Sequence, residues 1–178
     1  ADVKSRIFEN QTKDDFAIIN YDDPAVKKMS GSLKSQIIFF SRKEKLEKGI
    51  YIEDGIIKYA DSSFTRDIIS REEVFLKGGH NLENVMATIG LCIAAGIDQE
   101  VMKRVLREFR GVEHRLELVD CIDGVEFIND SKGTNTDSSI KALEAYDHDV
   151  ILIAGGYDKK AEFGDFVKMF SGRVKHAI

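Results

Sequence analysis

The sequence has few of the features that mark several common protein classes. It contains one proline in 178 residues, whereas average usage of about 5% would give roughly nine, which argues against a Pro-rich linker. No stretch approaches the roughly 18 to 20 consecutive apolar residues of a membrane span. The opening Ala-Asp-Val-Lys also lacks the charged start and apolar run of a signal peptide. We therefore expect a soluble, cytoplasmic protein that does not contact a membrane.

Cysteine is also scarce. The two cysteines, Cys92 and Cys121, have no CxxC spacing and lie in apolar runs that resemble a helix and a strand. We expect both to be buried as small hydrophobic residues, so neither a disulfide nor a zinc site is predicted.

The formal charge of −5 is unevenly placed. Residues 1–110 carry 18 basic and 18 acidic side chains, whereas residues 111–178 carry 8 and 13. An acidic segment offers no electrostatic footprint for DNA or RNA, so no nucleic-acid partner is expected. Any phosphate ligand must be held by a few placed cations and backbone amides.

The remaining pattern is that of a packed α/β protein, since 43% of the residues are hydrophobic and occur in short runs. Asp54-Gly55 predicts a two-residue hairpin turn. Helical spacing begins at His80 and ends near Gly96, and Asp98 is expected to cap a second helix. The strands predicted before His80 are 16–20, 36–40, 49–53, 56–59 and 66–69, with a short helix from Pro24 to about Met29 and the tail of another at 3–8.

Beyond Gly111, two strands are predicted in succession, and the elements after them alternate between helix and strand, which indicates parallel βαβ units. The expected elements are strands 116–120 and 125–129, helix 136–146, strand 150–154, helix 163–170 and a strand from 175. We interpret the chain as the end of one domain, 1–110, joined to the beginning of another, 111–178. The alternative is a complete small α/β protein.

Two predicted strands end in polar segments, where parallel sheets present ligand-binding residues. The strand at 125–129 continues into Asp130-Ser131-Lys132-Gly133-Thr134-Asn135, which supplies a carboxylate, a cation and hydroxyl groups at a helix N-terminus. The alternative is a plain helix cap. The strand at 150–154 continues into Gly155-Gly156-Tyr157-Asp158-Lys159, and Lys159 could reach a carboxylate or phosphate beside Lys132. The alternative for this segment is a tight turn. Neither GxxxxGK[ST] nor GxGxxG occurs in the sequence.

Two further segments are candidates for ligand binding. His80, Asn81 and Asn84 lie at the start of a helix, where the two asparagines are three residues apart and could bind the edge of a purine ring. In His114-Arg115-Leu116-Glu117, the arginine could reach a phosphate from a neighbouring domain. The alternatives are a helix cap for the first segment and a surface ion pair for the second.

Together these segments resemble the Mur ligase family. The order GxHNxxN, HRxE, NDSK-x-TN, GGxDK is similar to that family, and NDSK-x-TN resembles the branch that adds D-glutamate during peptidoglycan synthesis. The start, Lys4-Ser5-Arg6-Ile7-Phe8-Glu9-Asn10, resembles K-x-R-I-[FY]-E-N. Gly133 stands where alanine is commoner.

The resemblance implies a fold and a set of roles. Residues 1–110 would be the second half of a P-loop-type central ATPase domain, and residues 111–178 the first half of a Rossmann-like C-terminal domain. By resemblance, His80, Asn81 and Asn84 line the adenine pocket, and Arg115 and Asp130 reach the ribose and phosphates of ATP. By the same resemblance, three further residues match positions that hold D-glutamate and the reacting phosphate: Lys132, Thr134 and Lys159. Lys4 matches a carbamylated lysine that helps to hold Mg²⁺.

The implied reaction is ATP-dependent amide synthesis between D-glutamate and UDP-N-acetylmuramoyl-L-alanine in the bacterial cytoplasm, with Lys132 and Lys159 as catalytic residues. A monomer is expected. The family's P-loop lies outside these residues, so we expect the chain by itself not to turn over ATP. The alternatives are another ligase of the superfamily, similar to folylpolyglutamate synthase, and a non-catalytic nucleotide-binding module.

Overall fold

The computed structural model describes residues 2–76, 78–157 and 161–178. They form two compact units. The first unit takes the residues up to Phe75 together with Asn81–Phe109, and the second takes Leu76–His80 and Arg110–Ile178.

The first unit is built on a five-stranded sheet in the order β1-β2-β3-β4-β5. The strands β1, β2 and β3 pair in parallel, and β3, β4 and β5 pair antiparallel. Their bounds are Phe16–Asn20, Gln36–Ser41, Gly49–Glu53, Ile56–Asp61 and Phe64–Ser70. The turn predicted at Asp54-Gly55 joins β3 to β4, and both of its residues have positive φ, 51° and 74°, as a type I′ hairpin requires.

Four α-helices accompany this sheet in the described residues. Their bounds are Asp2–Ser5 for α1, Pro24–Met29 for α2, Gly79–Ala94 for α3 and Gln99–Glu108 for α4. The Asp98 side chain caps α4 as predicted, accepting from the amides of Glu100 and Val101. Short 3₁₀ helices occupy Arg6–Phe8, Ser30–Ser32 and Arg71–Glu73.

Helix α3 packs closely against the sheet at Gly90. A Cβ atom at this position would lie 2.7 Å from Ile18 Cγ2 and 3.3 Å from Ile50 Cδ1. On the same helix, Met86 and Ile89 are fully buried. The C-terminal half of α3 is thereby held close to β1 and β3.

An ion pair connects the 3₁₀ helix that follows β5 to α4. Arg107 Nη2 lies 2.6 Å from Glu73 Oε2, and the Ser70 amide donates to Glu73 Oε1 at 3.2 Å. The hydrogen bond from Arg107 and that from the Ser70 amide lower the pKa of Glu73 below its usual value.

The second unit contains an antiparallel pair, β6 and β7, and a parallel pair, β8 and β9. Its elements are β6 (Glu117–Ile122), β7 (Val125–Asn129), α5 (Thr136–Leu143), β8 (Val150–Leu152), α6 (Gly164–Lys168) and β9 (Val174–Ala177). The parallel pairing of β8 and β9 around α6 confirms the predicted βαβ pattern and the α/β class. Both helices end earlier than predicted, α5 at Leu143 rather than Tyr146 and α6 at Lys168 rather than Phe170.

The prediction for the cysteines is wrong for Cys121, which is exposed, and only partly met by Cys92, which is half-buried. Cys121 lies on β6, whose described partner strand is β7 alone. A two-stranded ribbon cannot bury its own faces without a covering layer, so apolar residues on it remain accessible.

We expect Gly90→Val to destabilise the first unit by about 1–3 kcal/mol, because the added side chain would overlap Ile18. Urea unfolding followed by circular dichroism measures this loss. The matched control is Gly31→Val, since a Cβ atom at Gly31 meets no atom within 4 Å. Equal unfolding midpoints for the Gly90→Val variant and the unchanged chain would contradict the close packing of α3.

Candidate functional site

In the first unit, polar residues gather at the C-terminal ends of two neighbouring strands. Strands β1 and β2 run in parallel with Asn20 opposite Phe40, so both end at the same edge. Just beyond them, Asp22 accepts hydrogen bonds from Ser41 Oγ at 2.5 Å and from the Arg42 amide at 2.8 Å. Ligands of open α/β sheets bind at this kind of edge.

Glu83 connects the strand ends to helix α3. Its carboxylate accepts from Asn20 Nδ2 at 3.5 Å and from Arg42 Nε at 3.2 Å. The side chains of Arg42 and Glu83 are 38% and 29% exposed, so their ion pair is partly shielded from water. These contacts set the position of the first turns of α3 relative to the strand ends.

Sequence reasoning missed this polar cluster of Asn20, Asp22, Ser41, Arg42 and Glu83. The sequence does contain a signal for it, because Asp22 and Ser41 are polar residues that come just after apolar runs predicted as strands. What was lacking was the knowledge that the two strands are neighbours and parallel.

Three of the predicted site residues lie in the first six residues of α3. Asn81 is buried, with 8% exposure, whereas Asn84 is exposed and His80 is half-buried. Although the two asparagines are three residues apart, they therefore differ in access to solvent. His80 groups with the second unit and both asparagines with the first.

In the second unit, the turn 114–117 and the loop 129–133 are hydrogen-bonded to each other. The Lys132 amide donates to the His114 carbonyl oxygen at 2.9 Å. This contact brings the backbone of Lys132 next to that of Arg115, although the β6–β7 hairpin separates them in the sequence. Two of the predicted cations therefore belong to one local structure.

Two carboxylates complete this connection. Glu117 Oε2 accepts from the His114 amide at 2.7 Å and from Asn129 Nδ2 at 3.4 Å. Asp130 Oδ1 accepts from the Leu116 amide at 3.1 Å. Both carboxylates are thus used to hold the backbone that carries the arginine.

The interpretation of Arg115 and Glu117 as a surface ion pair is wrong, because the Glu117 carboxylate faces His114 and Asn129 instead. Arg115, Lys132 and Thr134 are all exposed. Within the described residues, neither Arg115 nor Lys132 forms an ion pair. Both cations are therefore accessible to an anionic ligand.

Capping of α5 explains only one of the polar residues in the segment 130–135. Asn135 caps α5, since its side-chain oxygen accepts from the Ser138 amide at 2.8 Å. Asp130, Lys132 and Thr134 take no part in that cap. The side chains of Lys132 and Thr134 are consequently available for another role at the N-terminus of this helix.

Tyr146 is a residue near this loop that sequence reasoning missed. Burial, together with the negative charges of Glu126 and Asp130, raises the pKa of Tyr146 above its usual value. The phenol is therefore neutral at physiological pH and keeps its proton for donation. A tyrosine at the end of a predicted helix carries no signal for this in the sequence.

Comparison with known protein families identifies the group to which this chain is related. The model of the Mur ligase middle domain matches residues 1–92, and the model of the Mur ligase glutamate ligase domain matches residues 114–178. The chain belongs to the Mur ligase family.

Curated relatives of this Mur ligase chain include proteins named UDP-N-acetylmuramoylalanine–D-glutamate ligase. The protein from Thermoanaerobacter sp. is 49% identical over 177 residues, which is 99% of this chain and 39% of the relative. The proteins from Alkaliphilus oremlandii and Clostridioides difficile are 46% and 44% identical and are covered to 38% and 39% of their lengths. The chain therefore spans about 39% of the length of these relatives.

Solved structures show the same fold at low sequence identity. The UDP-N-acetylmuramoylalanyl-D-glutamyl-2,6-diaminopimelate–D-alanyl-D-alanyl ligase of Acinetobacter baumannii matches with a TM-score of 0.71 at 17% identity, over 98% of this chain and 40% of that one. MurF ligase of Thermotoga maritima, in complex with ADP, matches with a TM-score of 0.66 at 16% identity, over 99% and 46%. These likenesses establish the Mur ligase fold of this chain.

Gly133, the departure from the Mur ligase pattern, lies against Asp130. A Cβ atom at residue 133 would lie 2.6 Å from Asp130 Oδ2. Any larger residue there requires the carboxylate to rotate from its present position. Glycine thus leaves room for the hydrogen bond between Asp130 and the Leu116 amide.

The described residues of this Mur ligase chain do not by themselves fit a Mg²⁺ site. Lys4 is exposed in α1, and the described part of the chain contains no group of three or more histidine, cysteine, aspartate or glutamate side chains that could hold a metal ion.

Lys159, the second predicted catalytic lysine, lies outside the described residues. Across the described residues, no helix combines the length and apolar composition needed to cross a bilayer.

We expect Asp130→Ala to open the turn that carries Arg115, because the Leu116 amide loses its acceptor. A hydrogen bond to a charged group contributes about 1.5–3 kcal/mol, so amide exchange at Leu116 should accelerate about 10- to 100-fold. Hydrogen exchange followed by NMR measures this rate. Asp130→Asn is the control, since it keeps an oxygen at Oδ1; unchanged protection in Asp130→Ala would contradict the assignment.

Proposed function

We propose that this chain is part of an ATP-dependent ligase that joins D-glutamate to UDP-N-acetylmuramoyl-L-alanine in the bacterial cytoplasm. The names of its relatives support this substrate pair. The structural observation that supports it most directly is the pairing of the Arg115 turn with the Lys132 loop, which holds two accessible cations on adjacent backbone segments. Such cations suit substrates that carry carboxylates and phosphates.

We further propose that residues 1–110 belong to the central, ATP-binding domain and residues 111–178 to the C-terminal domain. Two observations support this division. The matched family models separate between residues 92 and 114, and the compact units change from one to the other between Phe109 and Arg110. The grouping of Leu76–His80 with the second unit is the exception to this boundary.

The proposed reaction has two steps. A carboxylate oxygen of UDP-N-acetylmuramoyl-L-alanine attacks the γ-phosphorus of ATP, the bond to ADP breaks, and an acyl phosphate forms. The amine of D-glutamate then attacks the acyl carbon, phosphate leaves, and the amine loses a proton as the amide forms. Negative charge accumulates on oxygen atoms in both steps, and fixed cations stabilise it.

The nucleotide-binding roles fall on both units. We assign the adenine to His80, Asn81 and Asn84. Glu83, which lies between the two asparagines in the sequence, contacts Asn20 and Arg42 at the strand ends, and this supports a ligand site near the asparagines. Of the two asparagines, the exposed Asn84 is better placed to donate and accept hydrogen bonds with a base. We assign contacts with the ribose and phosphates to Arg115 and Asp130. For Asp130 the contact would be made by Oδ2, since Oδ1 accepts from the Leu116 amide.

The D-glutamate roles fall on the second unit. Lys132 and Thr134 are exposed next to the N-terminus of α5, an arrangement that favours a carboxylate or phosphate. We assign Lys132 and Lys159 as catalytic residues that bind D-glutamate and the transferred phosphate. Mg²⁺ is an expected requirement, with Lys4 in its carbamylated form as the candidate ligand in this chain, and no step is assigned to it.

We expect Lys132→Ala to lower kcat of the full-length ligase by about 10²- to 10³-fold, because one cation at the developing charge is lost. Phosphate release is measured with ATP, UDP-N-acetylmuramoyl-L-alanine and a panel of amino acids that includes D-glutamate and L-glutamate. Lys141→Ala is the control, since Lys141 is an exposed lysine on α5 that pairs with Glu144. Addition of an amino acid other than D-glutamate would overturn the proposed substrate.

The 178-residue chain by itself should release no phosphate from ATP above background with all substrates present. The reason is that its sequence contains no GxxxxGK[ST] loop to hold the phosphates of ATP. A sensitive phosphate assay with the full-length ligase as positive control tests this. Phosphate release that rises in proportion to the concentration of the chain would contradict this expectation. It would mean that Lys132 and Arg115 belong to a site that is complete within these residues.

A further inference from the structure

The turn that carries Arg115 has an unusual backbone. His114 and Leu116, on either side of the arginine, have φ angles of 67° and 44°. Residues with a Cβ atom rarely adopt this left-handed region, and leucine lacks the short polar side chain that makes asparagine and aspartate more tolerant of it. Strained backbone of this kind persists only where surrounding contacts hold it, and it is concentrated at functional sites.

Glu117 supplies the contact that closes this turn. Its Oε2 accepts from the His114 amide at 2.7 Å, which ties the last residue of the turn to the first. The same oxygen lies 3.4 Å from Asn129 Nδ2 and 3.5 Å from His114 Nδ1. Asn129 Nδ2 also lies 2.9 Å from His114 Nδ1, so one carboxylate joins the turn to the final residue of β7.

The adjoining loop depends on the same connection. Asn129 Oδ1 accepts from the Ser131 amide at 3.0 Å, which shapes the chain just before Lys132. The Lys132 amide in turn donates to the His114 carbonyl oxygen. A change at Glu117 would therefore reach Arg115 through the backbone of His114, and Lys132 through Asn129 and His114.

We propose that Glu117 is a positioning residue, which sets Arg115 and Lys132 in the geometry that the ligase reaction needs. This inference rests on the proposed function. Glu117 itself is not assigned to any substrate, because its carboxylate is engaged by the His114 amide and the Asn129 amide group. Glutamine at this position keeps one acceptor oxygen and the length of the side chain, whereas alanine keeps neither.

The kinetic test uses the full-length ligase with Glu117→Ala and Glu117→Gln. Since misplacement by about 1 Å can cost about 10²-fold, Glu117→Ala should lower kcat/KM for ATP and for D-glutamate by about 10- to 100-fold. The KM for UDP-N-acetylmuramoyl-L-alanine should stay within about twofold, because neither cation is assigned to it. Glu117→Gln should restore most of the loss.

Glu144→Ala is the matched control, since Glu144 is a partly exposed glutamate of the same unit that pairs with Lys141. All its constants should stay within about twofold of the unchanged enzyme. Unchanged kinetics in Glu117→Ala, or an equal rise of KM for all three substrates, would overturn the positioning role.

Hydrogen exchange in the same full-length variants separates this proposal from the proposed function. The amides of His114 and Lys132 should exchange at least about tenfold faster in Glu117→Ala, while amides of α5 keep their protection. If the unchanged protein fails to use ATP and D-glutamate, the proposed function fails, and the exchange rates still decide whether Glu117 holds the turn. Unchanged exchange at both amides would overturn the proposal.

Discussion

The binding of backbone amides by the carboxylates of Glu117 and Asp130 is the constraint on which the second unit's candidate site depends. Each carboxylate accepts from an amide in the turn around Arg115, His114 for Glu117 and Leu116 for Asp130. These acceptors hold the turn together with the hydrogen bond from the Lys132 amide to the His114 carbonyl oxygen. Positive φ at His114 and Leu116 persists only where such contacts hold the backbone. The carboxylates of Glu117 and Asp130 therefore hold the backbone that carries Arg115 and Lys132. For this reason, exposed cations occur within the acidic segment.

The first unit uses the same chemistry for a different purpose. Asp22 and Glu83 accept from groups at the ends of β1 and β2, and Glu83 thereby fixes the beginning of α3. The close approach of the helix at Gly90 fixes the same element further along. Two contacts separated by two helical turns leave α3 little freedom to slide along the sheet, so the asparagines near its start have defined positions.

Much of the local structure could be predicted because its causes lie within a few residues. The hairpin turn at Asp54-Gly55, the cap at Asp98 and the helical spacing from His80 depend on short-range backbone and side-chain chemistry. The ends of α5 and α6 were less predictable, since they depend on where packing stops. The exposure of Cys121 could not be predicted, because an apolar run predicts a strand but does not tell what covers it.

The sequence by itself determined the α/β class, most strands and helices, and the motifs from which the family resemblance follows, because each of these is encoded in short stretches of residue types. Only the tertiary structure decided that the Arg115 turn and the Lys132 loop are hydrogen-bonded, and that Glu117 pairs with His114 and Asn129 rather than with Arg115. It also decided that Asn81 is buried while Asn84 is exposed. These outcomes depend on which distant segments meet, and spacing along one segment carries no information about its partner.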